Sequence, residues 1–214
     1  MSNPLRTRKF LRSMVRARIN EPIEDDFKDT ELNSIIDFGQ VEVARRLSNI
    51  EQEWFAKKGA IALSGTVIIY DLPTDVLEIR SIMWDWYNVE VSRLPLSKVP
   101  LIKTNSNYTP SSTNAFYWQV GSKIYIQPAP IMDNPGNLTI YYIQKPVPLP
   151  DEDSESILRE EFLEGVIRFS VMTCSPKKAH LNPADTEKKY DEYFLEMEKK
   201  YKVPVDHPTP GERE

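Results

Sequence analysis

Residues 123–150 read "KIYIQPAPIMDNPGNLTIYYIQKPVPLP". Apolar and polar residues alternate here, and the β-branched and aromatic side chains suit a pleated surface. The stretch therefore predicts two strands, 123–127 and 138–144, joined by a proline-bounded turn. The closing "QKPVPLP" ends the pattern, since proline has no N–H to give to a ladder. A small β-sheet thus sits inside the chain, and the fold class depends on what flanks it.

Upstream the same period continues. "TVIIYDLP", "VLEIRSIMW" and "AFYWQV" are further short apolar runs, separated by proline, asparagine, serine or glycine clusters. Gly121 in "VGSK" fits a tight hairpin between 116–120 and 123–127, and antiparallel pairing is the economical arrangement. Between Leu94 and Asn114 lies a long polar connection, which suits either a mobile loop or one held by a partner.

Outside residues 60–150 the period becomes helical. Leu11, Met14, Val15 and Ile19 predict a short amphipathic helix from Leu5 to Ile19, with Arg12 and Arg16 one turn apart on another face. A second helix starts at Asp29 or Thr30 as cap, with Glu31 at the positive end of its dipole. Its stripe runs through Leu32, Ile35, Ile36, Val43, Leu47, Ile50 and Trp54, and Lys57, Lys58 and Gly59 are expected to close it. At 1.5 Å per residue such a helix is ~40 Å long, the spine of the molecule. Leu158, Phe162, Val166 and Phe169 predict a third helix that runs to Cys174 and is stopped by Pro176. Asn182 and Pro183 start a fourth, lined by Tyr190, Phe194, Met197 and Tyr201. The tail "KVPVDHPTPGERE" has three prolines and no periodicity, and is expected to be disordered. The expected fold is α+β: a four-helix body from residues 1–59 and 151–201, an inserted antiparallel β module at 60–150 set on one end of it, and an extended tail at 202–214.

Composition narrows the function classes. The chain has 17 prolines against 7 glycines, which points to stiffened loops, and one cysteine, Cys174, which excludes an internal disulfide framework. No run approaches the ~20 apolar residues of a membrane span, and the start lacks a signal-peptide pattern. Glycine-rich phosphate loops are absent, and His180 and His207, the only histidines, lie in no metal-ligand spacing. No metal, cofactor or catalytic site is expected. Cys174 beside His180 reads as a buried structural thiol and an exposed imidazole. Asp151, Glu152 and Asp153 read as a solvated helix entry.

The net charge of −5 hides an asymmetry: Arg6, Arg8, Lys9, Arg12, Arg16 and Arg18 all precede the first acid. Arg12 and Arg16 are candidates for contact with a polyanion or an acidic neighbour. The simpler alternative is a basic surface helix facing an acidic protein, and on either account their reversal to Glu is expected to leave stability little changed.

The order of these pieces resembles the head-to-tail adaptor proteins of tailed bacteriophages. The residues that carry the resemblance are "DTELNSIIDFGQVEVARRLSNIEQEWFAKKG", the step "YDLPTDVLEI", "IYIQPAP" with "LTIYYIQKPVPLP", and the closing "FLEGVIRFSVMTCSPKKAHLNPADTEKKYDEYFLEMEKKY". The resemblance implies a structural virion protein without an active site, whose copies form a ring, expected to be twelvefold, around the DNA channel between the portal protein and the tail or nozzle protein. It implies portal contact by Tyr201, Val203, Pro204, Val205, His207, Pro208 and Pro210, and tail-side contact by the loop with Asn105, Asn107, Tyr108 and Pro110. It also implies assembly in the host cytoplasm and residence in the virion. A nucleic-acid-binding assembly or regulatory protein is the alternative reading.

Overall fold

The computed structural model describes residues 4–21, 24, 26–50, 56–103, 111, 113–130 and 136–201. Its class is α+β, with the chain divided into two units: Met1–Gln52 with Pro146–Glu214, and Glu53–Lys145.

The first unit holds α1 (Arg8–Arg18), α2 (Asp29–Leu47), α3 (Glu160–Cys174) and α4 (Pro183–Tyr201). Apolar residues crowd every side of α3, so Phe162, Leu163, Val166, Ile167, Phe169 and Val171 are all buried, and this helix packs against each of the other three. Two glycines permit the close approaches. A Cβ on Gly39 of α2 would lie 3.0 Å from Phe169 Cδ1, and one on Gly165 of α3 would lie 2.7 Å from Tyr193 Cε1. An aromatic chain crosses the unit from Phe38 through Phe169 and Tyr190 to Phe194, with centroid separations of 5.7, 5.7 and 5.0 Å.

Three helical expectations are corrected. The first helix begins only at Arg8, where the Thr7 hydroxyl accepts from Phe10 N, and a separate 3-10 turn spans Pro4–Arg6. The second has Lys28, not Asp29 or Thr30, at its N-cap, because the Asp29 carboxylate is drawn to arginines of α1. It also ends at Leu47, about 28 Å from its start at 1.5 Å per residue. Lys57, Lys58 and Gly59 do not close this helix; they lie in a strand, and Trp54 falls outside the described residues. Alanine and lysine favour helix locally, but the partner strand supplies a full ladder to this segment, and tertiary pairing overrides propensity.

The second unit contains β1 (Ala56–Ala62), β2 (Ile69–Asp71), β3 (Val76–Trp84), β4 (Val89–Glu90), β5 (Ser92–Arg93), β6 (Phe116–Val120), β7 (Lys123–Gln127) and β8 (Asn137–Gln144). The one small sheet expected from the sequence is two four-stranded sheets, ordered β1-β8-β3-β4 and β2-β7-β6-β5. Strands β7 and β8, adjacent in sequence, therefore belong to different sheets. The pairing is also not wholly antiparallel, since β5 runs parallel to β6. Tyr70, Tyr117, Ile124 and Ile126 from one sheet and Ile82, Trp84, Leu138, Ile140 and Tyr142 from the other form a shared buried core. Gly121 turns the β6–β7 hairpin with φ of 60°, which suits glycine there. The expected long connection after Leu94 contains a 3-10 helix, Leu96–Lys103.

Candidate functional site

On α1, Arg8, Arg12 and Arg16 recur every fourth residue and so share one face. On α2, Asp29, Asn33 and Asp37 recur at the same interval. Residue numbers fall on α2 as they rise on α1, so the two helices run antiparallel with their polar rungs in register. Arg8 meets Asp37 at 2.7 Å, Arg12 donates to Asn33 Oδ1 at 3.2 Å, and Arg16 donates to Asp29 Oδ1 at 2.6 Å. Asp37 also accepts from Leu149 N at 3.1 Å, which ties the proline-rich connection to α2.

Arg12 and Arg16 occupy different environments. The Arg12 guanidinium forms a two-point contact with Glu152, and Glu152 remains half exposed. Arg16 is 8% exposed and donates in addition to Phe27 O at 2.9 Å and to Glu21 Oε1 at 3.3 Å. Glu21, itself 2% exposed, meets Lys178 Nζ at 2.6 Å, and Lys178 reaches Asp26 at the same distance. Asp26 and then Glu21 hold the Lys178 ammonium above its ordinary pKa.

Further along α1, Arg18 grips Glu164 at 2.8 and 2.9 Å, and Arg168 meets the same carboxylate at 2.7 Å. Burial acts to raise the Glu164 pKa, but the two guanidiniums outweigh it and hold the carboxyl below its usual value. The N-terminus of α1 is closed as well: Arg8 N donates to Ser154 O, Lys9 N to Glu152 O, and Arg6 to the Ser156 carbonyl. An incoming phosphate therefore meets a helix whose free amides and arginines already have partners. Lys9 is the exposed cation of α1 without a carboxylate partner among the described residues.

The acidic neighbours of Arg12 and Arg16 are thus residues of the same chain. A polyanion would have to displace Glu152, Asp29 and Glu21 to reach them. The signal for this was in the sequence, in the matching four-residue intervals of Arg8, Arg12 and Arg16 and of Asp29, Asn33 and Asp37, but only the tertiary register shows that the two sets face each other. Glu152 belongs to this network and is more than a solvated helix entry. Asp151 stays at the surface, where the Ser154 hydroxyl holds its carboxyl below the ordinary value.

Asn105, Asn107, Tyr108 and Pro110, and Val203, Pro204, Val205, His207, Pro208 and Pro210, lie outside the described residues. Tyr201 ends α4 half-buried, with its hydroxyl 2.6 Å from Glu161 and its ring 6.2 Å from that of Phe162. Cys174 is fully buried, and burial, reinforced by Glu31 and Glu21, pushes its thiol up to about 12, while His180 is exposed. Among the described residues no group of three His, Cys, Asp or Glu side chains could hold a metal ion, and no helix is long and apolar enough to cross a membrane.

Comparison with curated proteins finds no match. A family model described as SU10 adaptor protein matches residues 9–207, from the first helix through both sheets and past the end of α4. That match takes in nearly the whole chain, and the chain therefore belongs to the SU10 adaptor protein family, a phage head-to-tail adaptor family.

Proposed function

We propose that this protein is a non-enzymatic virion component that joins the phage portal to the tail. The observation that carries this reading is the family match across residues 9–207, which includes elements of both units. In this reading α1–α4 act as a four-helix body, and copies of the chain form a ring, expected to be dodecameric, around the DNA exit channel. The body meets the portal, the β unit with its 60–150 insertion meets the tail or nozzle protein, and the chain at 202–214 extends along the portal. Assembly takes place in the host cytoplasm and the product resides at the portal–tail junction.

Tyr201, Val203, Pro204, Val205, His207, Pro208 and Pro210 are assigned to the portal, and Asn105, Asn107, Tyr108 and Pro110 to the tail side. A proline-rich segment can gain contact area by ordering on a preformed surface, at an entropic cost that proline keeps small. Arg12 and Arg16 serve the ring indirectly, by fixing α1 and the acidic turn on the body. The nucleic-acid-binding alternative gains nothing from α1, whose arginines are already neutralised.

Negative-stain imaging of this protein mixed with its portal tests the proposal. An added ring on the narrow end of the portal, lost on deletion of residues 203–214 with the helical content intact, is the expected result. A bare portal, with DNA binding that falls steeply with salt, would replace the adaptor role with the alternative.

A further inference from the structure

The outward face of the β2-β7-β6-β5 sheet carries a row of apolar and aromatic side chains where alternation would make it polar. Tyr70, Tyr117, Ile124 and Ile126 fill its inner face. On the outer face Ile69 lies opposite Tyr125, and Tyr125 opposite Trp118, so three strands contribute one continuous row. The rings of Trp118 and Tyr125 stack with centroids 5.5 Å apart and planes 10° apart. Val120, two residues from Trp118, extends the patch; it is 49% exposed and Ile69 is 41% exposed. Among the described residues neither the Trp118 indole N–H nor the Tyr125 hydroxyl has a protein hydrogen-bond partner, and both side chains are only half-buried, so both groups are open to a ligand acceptor.

Charge and area select the occupant. Among the described residues the charged side chains of this face, Lys123 and Asp71, pair at 3.0 Å and cancel, so neither draws a nucleic acid strand or a charged peptide. Two half-buried aromatics and two half-exposed aliphatics offer roughly 300 Å², well short of the about 800 Å² per partner of a stable protein–protein interface. That area fits a short segment. An indole N–H and a phenol O–H on one apolar row suit a backbone rich in free carbonyls, the property of an extended polyproline-type peptide. We infer that Ile69, Trp118, Val120 and Tyr125 form a docking platform for a short, uncharged, proline-containing extended segment of a tail-side protein. Only the identity of that partner rests on the adaptor role; the site does not.

The test is calorimetric titration of the full-length protein with a synthetic uncharged peptide of alternating proline and valine, in low salt and in about 1 M salt, where the screening length is about 3 Å. Saturable binding that changes less than twofold with salt, and weakens at least tenfold in Ile69→Lys and in Trp118→Ser, is expected. Absence of binding, equal binding by both variants, or loss in high salt would overturn the platform. Self-association abolished by Ile69→Lys would also overturn it, by making a second copy the occupant. Portal docking is measured in parallel. Failure of the wild-type protein to dock speaks against the adaptor role and leaves the peptide result standing.

Discussion

The Arg12 guanidinium and the Glu152 carboxylate, 140 residues apart in sequence, meet in a two-point contact at 2.8 and 2.6 Å. This contact fastens α1 to the turn that leads into α3, and it lies one rung from the buried Arg16.

The two arginines should differ sharply in what their removal does to stability. Arg12 is itself largely buried, but Glu152 keeps half its exposure and Asp29 a third, so the carboxylates that Arg12→Ala leaves behind stay solvated and the cost should be about 1–2 kcal/mol. Arg16→Met leaves Glu21 and Phe27 O buried with one donor fewer each, and should cost about 3 kcal/mol or more. Urea denaturation of both variants checks the order. Equal costs would mean that the burial of Arg16 has no energetic consequence. Reversal of both residues to Glu should destabilise the helical unit outright, contrary to the expectation drawn from sequence, because two carboxylates would then face Asp29.

Glu164 links stability to pH. Its folded pKa lies below the ordinary 4.5, so it binds its proton less readily folded than unfolded. The stabilisation it supplies is present above that value and is lost as pH falls through the folded one. Urea midpoints should therefore drop between neutral pH and acid below 4.5, and Glu164→Gln should show a smaller drop over the same interval.

Gly165→Ala should lower the melting temperature even though alanine is the better helix former. The propensity gain is about 1 kcal/mol, whereas overpacking a core contact costs about 1–3 kcal/mol. The new Cβ would lie 2.7 Å from Tyr193 Cε1 and 3.3 Å from Val43 Cγ2. Adding Tyr193→Leu should recover part of the loss, and no recovery would locate the strain elsewhere.

Cys174 should resist thiol reagents in the native protein at pH 8. It is fully buried, and its thiol titrates at about 12, so almost none is thiolate. Labelling should follow global unfolding and accelerate with denaturant. Rapid native labelling would show local opening of the α3 C-terminus.

Much of the local structure was legible from period and punctuation. Val76–Trp84, Phe116–Val120 and Lys123–Gln127 form as strands where alternation predicts them, and Asn182 and Pro183 open α4 as their chemistry requires, with Asn182 Oδ1 accepting from Ala184 N at 3.0 Å. These signals are local, because each depends on residues within one turn or one pleat of each other. The arginine face of α1 was visible in the same way, but its partners were not, since Glu152 and Glu164 lie far along the chain.

What the sequence determined by itself is the set of pieces: the type of each helix and most strands, the hairpin at Gly121, and the absence of any familiar catalytic spacing. Tertiary structure decided three other matters. It ended α2 at Leu47 and turned residues 56–62 into a strand, because β8 offers that segment a ladder. It separated β7 from β8 into different sheets, because a period of two says which face a side chain takes and nothing about which strand lies beside it. It set the arginines of α1 against carboxylates of their own chain, because charges find the nearest partner in space and sequence order does not measure that distance.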